Sequence, residues 1–420
     1  MNTKYEQVPI AELLKAIAVP DGAYEKAEAR YLDLGRWFER DESRCSKHAP
    51  HIYPQGSFRL GTVIRPVGAK GDYDLDLGCR LLSGVSKQSH SQKDLKTLVG
   101  SELEDYRVAR KILSALESKH RCWRLEYADE LSFHMDVVPS IPEEQGRRRT
   151  IEESMVKAGM EKVLAGNVSK HSGAITDDRL SNYGIVDNEW LVSNSEGYAV
   201  WFEFRMRQAG LILEKRAAAR LDQLPARRWK SPLQQVVQLL KWHREVMFQK
   251  NPDSKPVSII VTTLAAHAYN GEEDVESALA GVLERMGSFV RQNSPRIPNP
   301  INSAEDFADK WPLQRYANLK LEENFWRWLK AAQEHFKTLS TTRDPVLFEK
   351  TARDTFGVTL PNWAAELQQQ ERKRKSLLEK AEQLKAGART SSAGTIGSSG
   401  AINLPHKFYG DEEVHSDKKA

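Results

Sequence analysis

Residues 71–77 read Gly-Asp-Tyr-Asp-Leu-Asp-Leu, and this alternation constrains the chain more than any other stretch. Side chains on a β-strand alternate between faces. Asp72, Asp74 and Asp76 therefore share one face, while Tyr73, Leu75 and Leu77 fill the other. Like charges crowded on one face repel, and a divalent cation removes that repulsion. Carboxylate oxygens suit Mg²⁺, which keeps further positions for water and phosphate. Upstream, Gln55-Gly56-Ser57-Phe58-Arg59 holds a Gly-Ser turn, joined to the acidic strand by a link carrying Pro66, Gly68 and Gly71. Such a turn offers backbone N–H groups and a hydroxyl to a phosphate. The competing reading is an edge strand with a solvated acidic face.

A further carboxylate weighs against that reading. Ser132-Phe133-His134-Met135-Asp136-Val137-Val138-Pro139 reads as a strand with a proline stop. Asp136 interrupts its apolar run, and a buried aspartate is costly unless it is paired or bound to a metal. Two strands, one with an Asp-x-Asp pair and one with a single Asp, can hold two metals about 4 Å apart. One would activate a hydroxyl; the other would hold a triphosphate and its leaving pyrophosphate. Those are the requirements of nucleotidyl transfer.

Gly56-Ser57, Asp74-Leu75-Asp76-Leu77 and Met135-Asp136-Val137 resemble the signature of the polymerase-β-type nucleotidyltransferase superfamily. The surrounding text, Pro54 to Thr62, Asp72 to Leu77 and Asp136 to Pro139, resembles the bacterial cGAS/DncV-like nucleotidyltransferases, the CD-NTases of CBASS anti-phage systems. The resemblance spans residues from about 10 to 370. It implies an α+β fold in two lobes: a polymerase-β-like mixed sheet with helices, then a helical, oligoadenylate-synthase-like domain, braced by a long N-terminal helix. The expected divisions are 1–48 for N-terminal helices, 49–206 for the nucleotidyltransferase core, 207–372 for the helical domain and 373–420 for a charged, flexible tail. The implied catalytic and metal-binding residues are Asp74, Asp76 and Asp136, with two Mg²⁺ ions that Mn²⁺ can replace. Gln55, Gly56 and Ser57 would grip donor phosphates, joined by Lys241 and Ser258. Asp72/Asp74 is an alternative reading of the Asp-x-Asp pair. Asp74/Asp76 is preferred because Leu77 and Cys79 then continue the strand as the family does.

The implied activity is template-free synthesis of a cyclic di- or trinucleotide from ATP, with or without GTP. Two alternatives are a superfamily enzyme that releases linear oligonucleotides and a non-catalytic nucleotide-binding protein that kept the fold. The family also implies a CBASS accessory protein, such as a ubiquitin-activating-enzyme-like ligase acting on the C-terminus.

Composition narrows the class. The net charge of +4 is small against 62 basic and 58 acidic residues, which does not suggest a dedicated nucleic-acid binder. Three widely spaced cysteines fit neither a disulfide framework nor a zinc site, so a reducing cytoplasm is expected. No apolar run is long enough to suggest a membrane span, and no Walker A motif is present.

Along the chain, helices are expected from about 8 to 46, interrupted at Pro20-Asp21-Gly22, and from Asp94 to His120 with Leu98, Leu103, Val108, Ile112, Leu113 and Leu116 as the apolar stripe. An antiparallel pair is expected for Cys122–Tyr127 and Phe133–Val138, turning at Ala128-Asp129-Glu130. Glu143 to Arg149 reads as a surface loop. Residues 188–205 are rich in aromatics, which suits lobe packing behind a helix start at Ser195-Glu196 better than base stacking. Ser231-Pro232 reads as a helix N-cap and first position. Lys241 by itself reads as a snorkelling lysine or one aimed at a cleft, and Ser258 as a helix cap or core hydroxyl. Ser303 with Asp306 suggests another capped helix start. Ala386 to Ala401 reads as a flexible linker before a weakly apolar tail.

Overall fold

The structure, a computed structural model, describes residues 8–68, 71–127, 132–207, 230–342 and 344–360, with scattered helical positions between 369 and 380. Met1–Pro361 form one compact unit. Asn362–Ala420 form a second, of which only those helical positions are described, so the expected linker and tail lie outside the described residues.

Two helices lead. α1 (Val8–Ile17) and α2 (Asp21–Glu39) are separated at Pro20, as the sequence suggests. α2 buries Ala23, Ala27, Tyr31, Leu34 and Phe38, a stripe of helical period. β1 (Pro50–Pro54), the short helix α3 (Gly56–Leu60) and β2 (Tyr73–Leu81) follow. α4 (Gln92–Ala109) crosses over to the hairpin strands β3 (Glu117–Ser118) and β4 (Trp123–Tyr127), and then comes β5 (Phe133–Pro142). α2 packs on β1 and α4.

β2 and β5 pair in parallel, while β1 and β4 flank them antiparallel. The sheet is therefore mixed, in the order β1-β2-β5-β4-β3. The alternation read from the sequence is realised in β2. Tyr73, Leu75, Leu77, Cys79 and Leu81 are buried in the core. The opposite face grades from exposed Asp74, through half-buried Asp76, to buried Gly78 and Arg80.

α4 begins earlier than expected because Ser91 and Asp94 form a reciprocal capping box, which makes Asp94 the third helical residue. It also ends earlier. Lys111 takes a left-handed conformation, φ +55°, and Leu113, expected on the apolar stripe, is 92% exposed.

The stretch expected as a surface loop is instead α5 (Gln145–Lys157), which buries only Met155 and packs on α6 (Lys162–Ser169). A helix held mainly by one neighbour leaves little apolar period in the sequence. β6 (Gly173–Ile175) and β7 (Leu191–Ser193) extend the sheet beyond the end of β5. α7 (Ser195–Arg207) is capped by Asn194, whose Oδ1 accepts from the Gly197 amide at 2.9 Å, rather than by the Ser195-Glu196 pair. Its aromatics Tyr198, Trp201 and Phe202 are buried, in line with packing.

After residues 208–229, which lie outside the description, come α8 (Pro232–Met247), α9 (Ser258–Ala268) and α10 (Val275–Arg285). The α8 start has Ser231 as N-cap with Gln234 completing the box. The expected helix start at Ser303 is instead a hairpin, β8 (Pro298–Asn299) and β9 (Asn302–Asp306). Asp306 accepts from the amides of Arg296, Ile297 and Ala308, so its carboxylate ties a turn rather than capping a helix. α11 (Leu321–Thr341) and α12 (Pro345–Phe356) complete the helical part. α1 lies on α8 and α11.

Candidate active site

The β2–β5 register places the acidic positions on neighbouring strands in facing rows. Asp76 lies directly opposite Asp136, and Asp74 opposite His134. On the far side of β5, Arg124 of β4 is opposite Asp136 and Glu126 is opposite His134. One row across the sheet thus reads Asp76, Asp136, Arg124, and the next Asp74, His134, Glu126. Adjacent strands are about 4.8 Å apart, so each row is in mutual electrostatic reach.

Arg124 grips Asp136 with both prongs: Nε donates to Oδ1 and Nη2 to Oδ2, each at 2.7 Å. The imidazole of His134 lies 3.4 Å from Asp72, 3.7 Å from Asp74 and 3.8 Å from Glu126. Asp72, just outside β2, thus flanks the site beside His134.

Asp76 is the most constrained carboxylate. Burial first, then the charges of Asp136 and Asp74, push its pKa up to about 6. No described donor hydrogen-bonds the Asp76 carboxylate. The backbone at Gly56 closes over it: a Cβ there would sit 2.1 Å from Asp76 Oδ2, and Gly56 has φ +58°. The positive φ favours glycine, and any side chain here would push the Asp76 carboxyl aside. The Gln55 amide donates to the Asp76 carbonyl at 2.7 Å, which ties the start of α3 to β2. The Gln55 side chain lies over Gly78. Gly56 and Ser57 are the first two residues of α3, ahead of its first internal bond from Arg59 to Gln55, so their amides have no partner within the helix.

α8 meets this element through Gln234, Gln238 and Lys241, spaced to share one helix face. They donate to the carbonyls of Leu60 (2.8 Å), Val63 (2.5 Å) and Thr62 (3.0 Å), respectively. Lys241 is buried, and burial lowers its pKa to about 7, with Arg244 adding and Glu245, Asp76 and Asp74 opposing. The charges of Asp76 and Asp74 act on the lysine, whose ammonium is held on the Thr62 carbonyl rather than reaching solvent. Ser258 is exposed at the start of α9, and its hydroxyl accepts from Arg244 Nη1 at 2.9 Å.

The structure therefore brings Gln55, Gly56, Ser57, Asp74, Asp76, Asp136 and Lys241 to one place, with Ser258 joined to α8 one turn beyond Lys241. Arg124 and the glutamine pair on α8 escaped the sequence reading. A signal for Arg124 existed: the antiparallel pairing expected of these two strands brings position 124 to the neighbourhood of 136, and the register sets them opposite.

The donor set suits a divalent cation. It is all hard oxygen, and Asp76 is half-buried without a donor opposite a second aspartate. Among the described residues, no three His, Cys, Asp or Glu side chains already converge as a metal-binding group; Asp136 instead has both oxygens on Arg124.

Known proteins resemble this chain in sequence and in fold. A family model described as "Cyclic GMP-AMP synthase DncV-like, nucleotidyltransferase domain" matches residues 50–139, which run from β1 to Asp136 and beyond. The chain is 30% identical over 310 residues to a c-di-GMP synthase of Roseivirga ehrenbergii, covering 72% of each protein. It is 26% identical over 316 residues to the cyclic dinucleotide synthase CdnG of Bradyrhizobium diazoefficiens, covering 72% of this chain and 69% of that one. The solved structure of that CdnG in complex with GTP superposes with a TM-score of 0.58 at 22% identity, covering 84% of this chain and 96% of the other. The Escherichia coli CdnC–HORMA complex shares the fold at a TM-score of 0.53 and 14% identity, covering 84% and 97%. With the carboxylate register, the glycine over Asp76 and a relative of this identity and coverage, the chain belongs to the DncV-like nucleotidyltransferases, the CD-NTases.

Proposed function

We propose that this nucleotidyltransferase joins nucleoside triphosphates into a cyclic di- or trinucleotide and releases pyrophosphate, as a cytoplasmic signal in anti-phage defence. The observation that carries the reading is the strand register that sets Asp76 against Asp136, with the Gly56 backbone over Asp76 and the charge of Lys241 acting on it. GTP and ATP are the candidate substrates. The c-di-GMP synthase and the GTP-bound CdnG among the similar proteins favour trying GTP first.

Asp74 and Asp76 would hold two Mg²⁺ ions, replaceable by Mn²⁺, with Asp136 sharing one; the family uses divalent cations in general. Bound there, the ions supply Lewis acidity at the phosphates and ease deprotonation of the acceptor hydroxyl. The amides of Gly56 and Ser57 and the Ser57 hydroxyl bind donor phosphates, while Gln55 holds α3 against β2. Lys241, poised near neutrality by burial, becomes fully charged once a triphosphate lies beside it. Ser258 contributes its hydroxyl beside Arg244. The acceptor hydroxyl attacks the α-phosphorus of the donor, the bond from the α- to the β-phosphate breaks, and pyrophosphate departs. A second round on the linear intermediate closes the ring.

The test is incubation of the pure protein with GTP, ATP or both, plus Mg²⁺ or Mn²⁺, followed by phosphatase, chromatography and mass measurement. A resistant cyclic product, lost at least about a hundredfold in Asp76→Asn, is expected. A phosphatase-sensitive linear product would move the assignment to a linear-product enzyme. The CdnC–HORMA complex supports an accessory protein in this system too. The alternative partner, a ubiquitin-activating-enzyme-like ligase, would act on the tail outside the described residues.

A further inference from the structure

The row Asp76–Asp136–Arg124 holds a cation of its own. Asp136 has carboxylates on the β2 side and a guanidinium on the β4 side, and it is turned to the guanidinium. The pair is mostly shielded from water, at 27% and 21% side-chain exposure. A two-pronged contact engages both oxygens of the carboxylate at once. The charge of Arg124 also acts on Asp74 and Asp76, so it offsets the repulsion of the whole acidic face. A divalent cation seated between Asp76 and Asp136 would do the same work. It would also repel Arg124 and compete with it for Asp136.

We propose that Arg124 is a positioning residue that latches Asp136 away from Asp76 and must release at least one of its oxygens when the site loads. The inference rests on the metal assignment given above. Its consequence is coupling. Metal alone has to break the latch. Metal arriving with a triphosphate brings phosphate oxygens that complete its coordination and offset the guanidinium. The site therefore fills with metal and nucleotide together rather than with metal first.

The experiment measures Mn²⁺ binding from the electron paramagnetic resonance signal of the free ion, with no turnover needed. The samples are wild type, Arg124→Gln, Arg124→Lys and Asp76→Asn, each with and without a non-hydrolysable GTP analogue, after circular dichroism has shown that each is folded. Arg124→Gln should bind Mn²⁺ roughly tenfold tighter than wild type without nucleotide, a gain set by the loss of a strong competing pair. Arg124→Lys, which keeps the charge and loses the fork, should fall between them and gives the answer if the glutamine variant does not fold. Unchanged or weaker Mn²⁺ binding in both Arg124 variants, with wild type still binding Mn²⁺ in an Asp76-dependent manner, overturns the latch alone. Absence of Asp76-dependent Mn²⁺ binding in wild type, even with nucleotide, overturns the metal assignment and the latch with it.

Discussion

Asp76 carries a conflict between stability and chemistry. Its carboxyl titrates at about 6 in the folded chain, above its ordinary 3.8. The folded state therefore holds that proton more tightly than the unfolded chain does. Stability falls as pH rises from about 4 to about 6, and the full penalty, about 3 kcal/mol, persists above that. Asp76→Asn should remove the penalty. In chelator at pH 8 the variant should melt at a higher temperature than wild type, while at pH 4 the two should nearly coincide. A melting temperature at pH 8 equal to or below wild type would contradict the assignment of strain to this carboxylate. The strain has a physical origin in the Gly56 backbone, which closes over Asp76 and keeps water off it. Chain composition gave no hint of it, because the approach of residue 56 to residue 76 depends on how α3 folds back.

Among the elements, α8 is the one around which the helical part is built. Residues from Pro232 to Arg244 are mostly buried, including the polar Gln238, Lys241, His243 and Arg244. One face of α8 holds the loop after α3. Another carries His243 against His335 of α11 at 2.9 Å, packed beside Phe336 and Phe356. Burial lowers the pKa of His243 to about 3, and that of His335 in the same direction. Here the sign is opposite to that of Asp76. The folded state resists protonation, so stability is lost as pH falls through 6.5 towards 3. The urea midpoint of wild type should drop between pH 7.5 and pH 5 by more than that of His243→Phe, with about 2 kcal/mol separating the two responses. Parallel pH responses of the two proteins would show that this pair does not govern acid stability.

At the scale of the molecule, the N-terminal helices divide their contacts. α2 belongs to the sheet through Tyr31, Leu34 and Phe38, which share a core with Leu75 and Leu77. α1 belongs to the helical part, where it packs on α8 and α11. The link between α1 and α2 therefore ties sheet and helices together, and it does so beside α3, where Tyr24 packs on Phe58 and the Ile17 carbonyl accepts from the Arg65 amide. Leu13, fully buried on α1, tests the arrangement. Leu13→Ala should cost about 2–4 kcal/mol in chemical denaturation, the usual cost of a buried truncation. A cost below about 1 kcal/mol would mean that α1 contributes little to packing. Among the described residues no helix is long and apolar enough to cross a membrane.

The two-residue alternation of β2 and β5, the helix start at Ser231-Pro232 and the break between α1 and α2 at Pro20 were legible in the sequence, because each depends on neighbours a few residues apart. The Asp-x-Asp pair and the single Asp136 were legible for the same reason: their chemistry conflicts with a plain apolar strand. Sequence could not show that Leu113 would face solvent, that residues 145–157 would coil against α6, or that Asp306 would tie a turn. Nor could it show that Arg124 would seize Asp136, or that burial would bring Lys241 towards neutrality. Each of these depends on which distant segment arrives alongside. Strand register, helix docking and loss of water are set by the assembled fold, and they decide the charge state and orientation of side chains whose presence the sequence had already established.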